Sequence, residues 1–430
     1  MSAHDRLEAA LARIDDPNGE GARACLTVYR EAAHAAAAAA DARARAGISL
    51  GPLDGTIVSI KDLFDVAGEV TRAGSKVLAE EGKEAARDAP VVRALRSGGA
   101  IIVAKTNMTE FAFSGVGINP HYGTPGNPAD RARIPGGSTS GGAVAVADGM
   151  CEIAIGSDTG GSTRIPAALC NLVGFKPSRQ RISIAGMFPL AASIDSVGPI
   201  ARSVADIAKA DAVMAGEEFA ALEPAPLAGL RIGIAQGAPL EHLDETVAKR
   251  FPQAIDRLEK AGVRLSNEKL ALLDGMAKVN SRGGVQPAEA FSLHRDRLDR
   301  RGPDIDQNVR MRLERARSLS AADYIEMVNE RAALIAAMDA RLADLDVLAL
   351  PTTPMVAPTI AEMATPDVFA RKNAMLLRNT SIANFFDLCA ISLPLPRDGG
   401  LPVGFMLMAR NGHDRRLFRV AAAVERLLAP

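Results

Sequence analysis

Apolar positions near the start of the chain recur at helical spacing. Leu7, Leu11 and Ile14 fall on one face, and Ala32 to Ala46 consists almost wholly of good helix formers. From about Gly51 the pattern changes to short β-rich runs separated by helical stretches. Thr56–Ile60 reads as a strand ending at Lys61, and Ala100–Ala104 as a second, entered from a helix carrying Val91, Val92 and Leu95. Glu152–Ile155 reads as a third and runs into the loop Gly156-Ser157-Asp158-Thr159-Gly160-Gly161. Leu230–Ala235, Val347–Leu350, Ala390–Leu393 and Val403–Met408 continue the series. Strands alternating with helices predict an α/β fold in which a sheet is covered by helices on both faces.

The same pattern predicts one domain over residues 1–430. Its parts are N-terminal helices over 1–50, a core over 51–215, a charged helical cover over 244–343, and strands and a helix over 344–430 that rejoin the core sheet. A Glu/Pro-rich segment, Glu217 to Pro226, is too short to mark a domain boundary, and no internal repeat is present.

Composition narrows the function classes. With 48% hydrophobic residues the chain can bury a large core, and 50 Lys+Arg against 51 Asp+Glu leave a net charge of -1. That balance supplies no long-range field to gather nucleic acid or an anionic membrane, so a small-molecule partner is expected, with no nucleic acid and no membrane. The cysteines, Cys25, Cys151, Cys170 and Cys389, fit no metal-binding or Cys-x-x-Cys spacing, and read as buried thiols. No metal or cofactor is called for. No apolar run approaches the ~18 residues needed to cross a bilayer, and the first residues lack the apolar core of a signal peptide. A cytoplasmic protein is the expectation, with a homodimer as a candidate assembly.

Chemistry concentrates in two Gly/Ser-rich segments: Pro135-Gly136-Gly137-Ser138-Thr139-Ser140-Gly141-Gly142 and Asp158-Thr159-Gly160-Gly161-Ser162-Thr163-Arg164. Glycine lets backbone N–H groups converge on one point, which suits a phosphate or an oxyanion. The Gly-Lys-Ser/Thr ending of a phosphate loop is missing, as is a dinucleotide fingerprint with its downstream acid. An oxyanion needs such donors beside a nucleophile, and Ser162 directly follows them. Serine also needs a base. None of the six histidines lies in either loop, and His121, the nearest, sits in a turn-like segment. Lys61, carried inward by an apolar strand, could be kept neutral by burial and accept a proton.

Taken together these blocks resemble the amidase signature family. Gly51-Pro52-Leu53-Asp54-Gly55 with Ser59-Ile60-Lys61-Asp62 resembles its catalytic-lysine segment, and Lys105-Thr106-Asn107-Met108 with Glu110-Phe111-Ala112 its next block. The two serine loops, Gly174-Phe175-Lys176-Pro177-Ser178 and Leu401-Pro402-Val403-Gly404-Phe405 follow in the family's order. The resemblance spans about Gly51 to the end.

It implies a large twisted mixed β-sheet covered by helices on both faces, and an amidohydrolase working through an acyl-enzyme. It makes Ser162 the nucleophile, Ser138 a bridging serine after a cis peptide, and Lys61 the base. The 24 positions between the two serines match the family's interval. The N–H groups of Thr159, Gly160, Gly161 and Ser162 form the implied oxyanion hole. Asp62 and Asn107 are expected as supports, and Asp158 and Arg164 as braces of the loops. A substrate-carboxylate role for Arg164 is the alternative.

Thr139 and Thr163 depart from the commoner residues, and the middle region from Asp244 to Arg341 is short and poorly matched. Phe111, Phe113, Phe188, Phe385 and Phe386 lie in segments that could wall an acyl pocket, with core packing the expected role for most of them. Within the family the alternative is the A subunit of a tRNA-dependent amidotransferase. A non-catalytic amide-binding relative is the other, against which the intact Lys61, Ser138 and Ser162 argue.

Overall fold

The strands that carry the chemistry are buried at every position: β2 (Ile57–Lys61), β3 (Ile101–Thr106) and β4 (Ile153–Asp158). Strands covered on both faces need no polar alternation, which is why they appear as near-continuous apolar runs. In the computed structural model, which describes residues 1–397 and 399–429, these three sit in one large mixed sheet. The other strands are β1 (Cys25–Val28), β5 (Val173–Lys176), β6 (Ser196–Ala201), β7 (Arg231–Gln236), β8 (Arg264–Lys269), β9 (Val347–Pro351), β10 (Cys389–Pro394) and β11 (Gly404–Ala409).

Among the described residues the order is β1-β3-β2-β4-β6-β5-β10-β11-β9-β7-β8. β2 runs parallel to both β3 and β4, and β7 parallel to β8 and β9. The remaining neighbours are antiparallel. The C-terminal strands β10 and β11 enter beside β5, so the end of the chain closes the sheet started at its beginning.

Alternation along β2 distributes its side chains between two cores. Val58 and Ile60 join a cluster with Leu95, Phe175 and Val197. Ile57 faces the other way, toward Leu7, Leu11, Ala33, Ala37 and Val144. The N-terminal helices Ala3–Asp15 and Arg30–Arg45 therefore cover the face to which Ile57, Ser59 and Lys61 point at period two. The helix Ser140–Asp148 packs on that same face and brings the first serine loop over the end of β2.

The region 244–343 is mainly helical, as its charge pattern predicts, but contains β8. Its residues Arg264-Leu265-Ser266-Asn267-Glu268-Lys269 are largely exposed, and β8 is an edge strand held by parallel pairing with β7.

Candidate active site

Burial makes Lys61 unusual before any partner is considered. Its side chain is wholly enclosed, and Nζ donates to Ser138 Oγ at 2.7 Å and Ser157 Oγ at 2.9 Å. Enclosure penalises the ammonium and pulls its pKa down to about 7, against the opposing charges of Asp158 and Asp195. Two other lysines are as deeply buried but serve different ends. Lys105 pairs with Glu69 at 3.0 Å, and Lys176 donates to the carbonyls of Pro177 and Leu388. Among the described residues, only Lys61 of these three touches serine hydroxyls.

The first serine loop reaches Lys61 because its neighbours leave room. The Gly137–Ser138 peptide is cis. Gly137 N–H donates to the Gly115 carbonyl at 2.8 Å, and Thr109 N–H to the Ser138 carbonyl at 3.1 Å. Thr139 packs over Gly156, where a Cβ would lie 2.6 Å from Thr139 Oγ1. Any larger residue on β4 there would lift the loop off the lysine. Asn107 ties the same region down, donating to the carbonyls of Arg23 and Gly123 and accepting from Met108 N–H.

The second loop is stitched to the first, since Thr139 N–H donates to the Ser162 carbonyl at 3.3 Å. Ser162 Oγ has no hydrogen-bond partner among the described residues, and the residue is 4% exposed. Its backbone is thus tied to the residue that follows Ser138, while its hydroxyl is left uncommitted. The N–H groups of Thr159, Gly160, Gly161 and Ser162 likewise donate to no acceptor among the described residues. Thr380 Oγ1 donates to the Gly160 carbonyl at 2.6 Å, which turns that peptide's N–H side away from the helix Pro366–Phe385. Gly161 has φ +134°, and a Cβ there would meet Thr380 Oγ1 at 2.2 Å.

Asp158 and Arg164 form the frame beneath this loop. Arg164 Nη2 and Nε reach the two Asp158 oxygens at 2.8 and 3.1 Å. Thr163 and Asn384 donate to the same carboxylate. Burial opposes ionisation of Asp158, yet the guanidinium and these donors hold it well below the usual carboxylate range. Arg164 is wholly buried, and its remaining donors go to the Thr380 carbonyl, Asn384 Oδ1 and Met406 Sδ. The alternative of a substrate-carboxylate role for Arg164 is therefore wrong: it has neither access nor a free edge.

Asp62 lies apart from the serines. It accepts from Arg72 and from Gly74 N–H, and so shapes the turn after β2 rather than contacting Lys61 Nζ.

Sequence reasoning missed the partner roles of Ser157, Asp195, Thr380 and Asn384. Asp195 accepts from Thr159 Oγ1 at 2.5 Å and from the N–H groups of Leu190 and Ala191. Ser157 directly precedes the second serine loop, so its neighbourhood is visible in the sequence. Thr380 and Asn384 lie more than 200 positions from the loop they hold, with no local signal.

A chain with a buried Lys–Ser pair, a loop tied to it that carries an uncommitted serine, and four uncommitted N–H groups can be placed among known proteins. The family model described as Amidase matches residues 5–418. The chain belongs to the amidase signature family. It is accordingly a hydrolase of carbon–nitrogen bonds other than peptide bonds. It is similar to 2-amino-5-chloromuconic acid deaminase of Comamonas testosteroni, at 35% identity over 92% of this chain and 86% of that protein. It is also similar to the A subunit of the glutamyl-tRNA(Gln) amidotransferase of Anaeromyxobacter sp. (strain K), at 34% over 100% of this chain and 94% of the relative. An amidase of known crystal structure superposes with a TM-score of 0.89 at 31% identity, covering 100% of this chain and 97% of that one.

Next to the second serine loop, the amidase loop, lies a cavity of about 510 Å³, lined by Thr159 and by residues of the helical cover and of the helix Pro366–Phe385. Of the five phenylalanines that could have walled an acyl pocket, Phe385 lines this cavity, joined by Phe369, and the rest pack elsewhere, as expected for most of them. Phe111 and Phe188 instead pack around His294, Phe386 lies in the core, and Phe113 sits beneath Arg312.

Proposed function

We propose that the protein hydrolyses the amide bond of a small or medium-sized substrate through an acyl-enzyme on Ser162, with Ser138 and Lys61 relaying the proton. The observation that carries this reading is a lysine amine enclosed against a serine hydroxyl at 2.7 Å with its pKa pulled down to about 7. Such an amine is substantially neutral near pH 7 and able to take a proton.

Ser162 Oγ attacks the amide carbon while its proton passes to Ser138 Oγ, and that of Ser138 to Lys61 Nζ. The carbonyl oxygen takes up the negative charge opposite the N–H groups of Thr159, Gly160, Gly161 and Ser162. Losing one such donor typically costs ~3–4 kcal/mol of barrier. The C–N bond then breaks as the proton returns through Ser138 to the leaving nitrogen. Water attacks the Ser162 ester by the same relay, releasing the acid and regenerating the serine. Every proton in this cycle has a named carrier.

The acyl group is walled by the 510 Å³ cavity, a volume within the usual range for small-molecule sites. The Comamonas relative deaminates 2-amino-5-chloromuconic acid, so substrates other than simple carboxamides belong in the panel. Four free, buried cysteines support work in the cytoplasm, and among the described residues no helix is long and apolar enough to cross a membrane.

A fluorophosphonate probe tests the reading. Covalent labelling of the wild type, lost in Ser162→Ala, is expected, with ammonia or amine release falling by several orders of magnitude in Lys61→Ala. Labelling that survives Ser162→Ala, or near-normal turnover without Lys61, overturns it.

Similarity along the whole chain to the A subunit of an amidotransferase supports a second reading, in which glutamine is the amide and ammonia is passed to a partner. Co-purification with a second large protein, and glutamine hydrolysis that depends on it, would favour this over a stand-alone amidase.

A further inference from the structure

The cavity beside the amidase loop carries an unbalanced charge. Among the described residues its lining contains no Asp or Glu, but it contains Arg312 and Arg315, one turn apart at the end of the helix Gln307–Glu314. Three guanidiniums with little exposure are matched to carboxylates: Arg164 to Asp158, Arg181 to Asp211, and Arg331 to Asp387. Arg312 is half-buried and has no hydrogen bond or ion pair among the described residues, and neither has exposed Arg315. Burial, then the like charge of Arg315, lowers the Arg312 pKa to about 10, which leaves it cationic at neutral pH.

Arg312 is held in place by stacking. Its Cζ lies 4.4 Å from the centroid of the Phe113 ring. A guanidinium with one face on an aromatic ring keeps its N–H edge free, and that edge matches a planar carboxylate in bidentate fashion. The lining is chiefly hydrocarbon by area, including Ile194, Met276, Phe369, Leu377 and Phe385, with uncharged polar groups such as Gln286 and Asn308 among them. An apolar wall joining an oxyanion loop to an unpaired cation suits a chain with an amide at one end and an anion at the other.

We propose that this cavity selects amides whose acyl chain bears a remote carboxylate, bound by Arg312 with Arg315 beside it. The assignment of the scissile amide to Ser162 rests on the hydrolytic reading above, whereas the carboxylate site stands on the cavity alone. The experiment separates the two.

Ammonia release is measured for succinamic, glutaramic, adipamic and suberamic acids, each beside its methyl ester, on the wild type, Arg312→Gln and Arg315→Gln. For at least one length the free acid is expected to exceed its ester in kcat/KM by about 10- to 100-fold, the range of a charge-assisted hydrogen-bonded contact. Arg312→Gln should reduce that preference to within about threefold, and Arg315→Gln to an intermediate value. The ratio is taken on the same variant, so partial loss of folded protein cancels.

Calorimetric titration of the corresponding dicarboxylic acids into Ser162→Ala, with and without Arg312→Gln, reads the site without turnover. Equal rates for acid and ester at every length, a preference that survives both substitutions, or diacid binding that is absent or indifferent to Arg312 overturns the proposal. Arg312-dependent diacid binding without any amide turnover would keep the carboxylate site and remove the hydrolytic reading. Turnover that ignores the carboxylate would do the reverse.

Discussion

Replacing Ser157 by alanine isolates the environment of Lys61. Its hydroxyl accepts from Lys61 Nζ at 2.9 Å and so favours the ammonium over the neutral amine. A hydrogen bond to a charged donor is worth about 1.5–3 kcal/mol and one to a neutral donor about 0.5–1.5, a difference of roughly 1 kcal/mol. At 1.36 kcal/mol per unit, its loss should lower the lysine pKa by about 0.7. The wild-type value of about 7 places the acid limb of kcat/KM there, with roughly one-tenth of the enzyme competent at pH 6 and nine-tenths at pH 8. In Ser157→Ala the limb should move down to about pH 6.3, so the fraction competent at pH 6 rises about threefold to fourfold. The plateau should fall as well, because Nζ loses one of its two anchors.

The assay is a pH series of kcat/KM by ammonia release, with the limb's position read separately from its height. A limb that stays put or moves up on Ser157→Ala would refute the placement of Lys61 as base, as would a wild-type limb below pH 6.

Two further substitutions test the frame. Gly161→Ala forces a Cβ to within 2.2 Å of Thr380 Oγ1 at φ +134°. It should cost roughly 1–3 kcal/mol in stability and most of the turnover; a wild-type denaturant midpoint and rate would contradict this. Asp158→Asn strands the Arg164 guanidinium in the core and should lower the unfolding free energy by about 3–5 kcal/mol. A loss under about 1 kcal/mol in a urea titration would show that the pair is not a structural brace.

What the sequence makes legible depends on how local the cause is. The strands β2, β3, β4, β7, β9, β10 and β11 lie within three residues of the runs expected, because enclosure of most of their positions writes a largely apolar run. β1, β5, β6 and β8 carry no such signature. β5 and β6 are interrupted by Gly174, Gly198 and Pro199, and gain their order from neighbours in the sheet. β1 and β8 are edge strands whose one pairing fixes them.

The lysine and the two serines were readable because each stands in a dense, distinctive segment. Asp195, Thr380 and Asn384 were not, because their reason for being there is a contact made only when distant strands close the sheet. The Arg164 alternative failed for the same cause: Asn384 and Thr380 use the donors a substrate would need. The arginines of the cavity stand in an ordinary charged helix, where only the absence of acidic neighbours in three dimensions, among the described residues, sets them apart.

The cavity draws its walls mainly from residues 276–315 and 366–385, while the lysine and both serines come from residues 61–162. Under the proposed mechanism the reacting groups come from one stretch of coding sequence and most of the substrate-facing walls from another. Recombination or directed evolution aimed at residues 276–315 reshapes the cavity from outside the serine loops, whereas changes at Thr380 or Asn384 would also disturb the loop they hold.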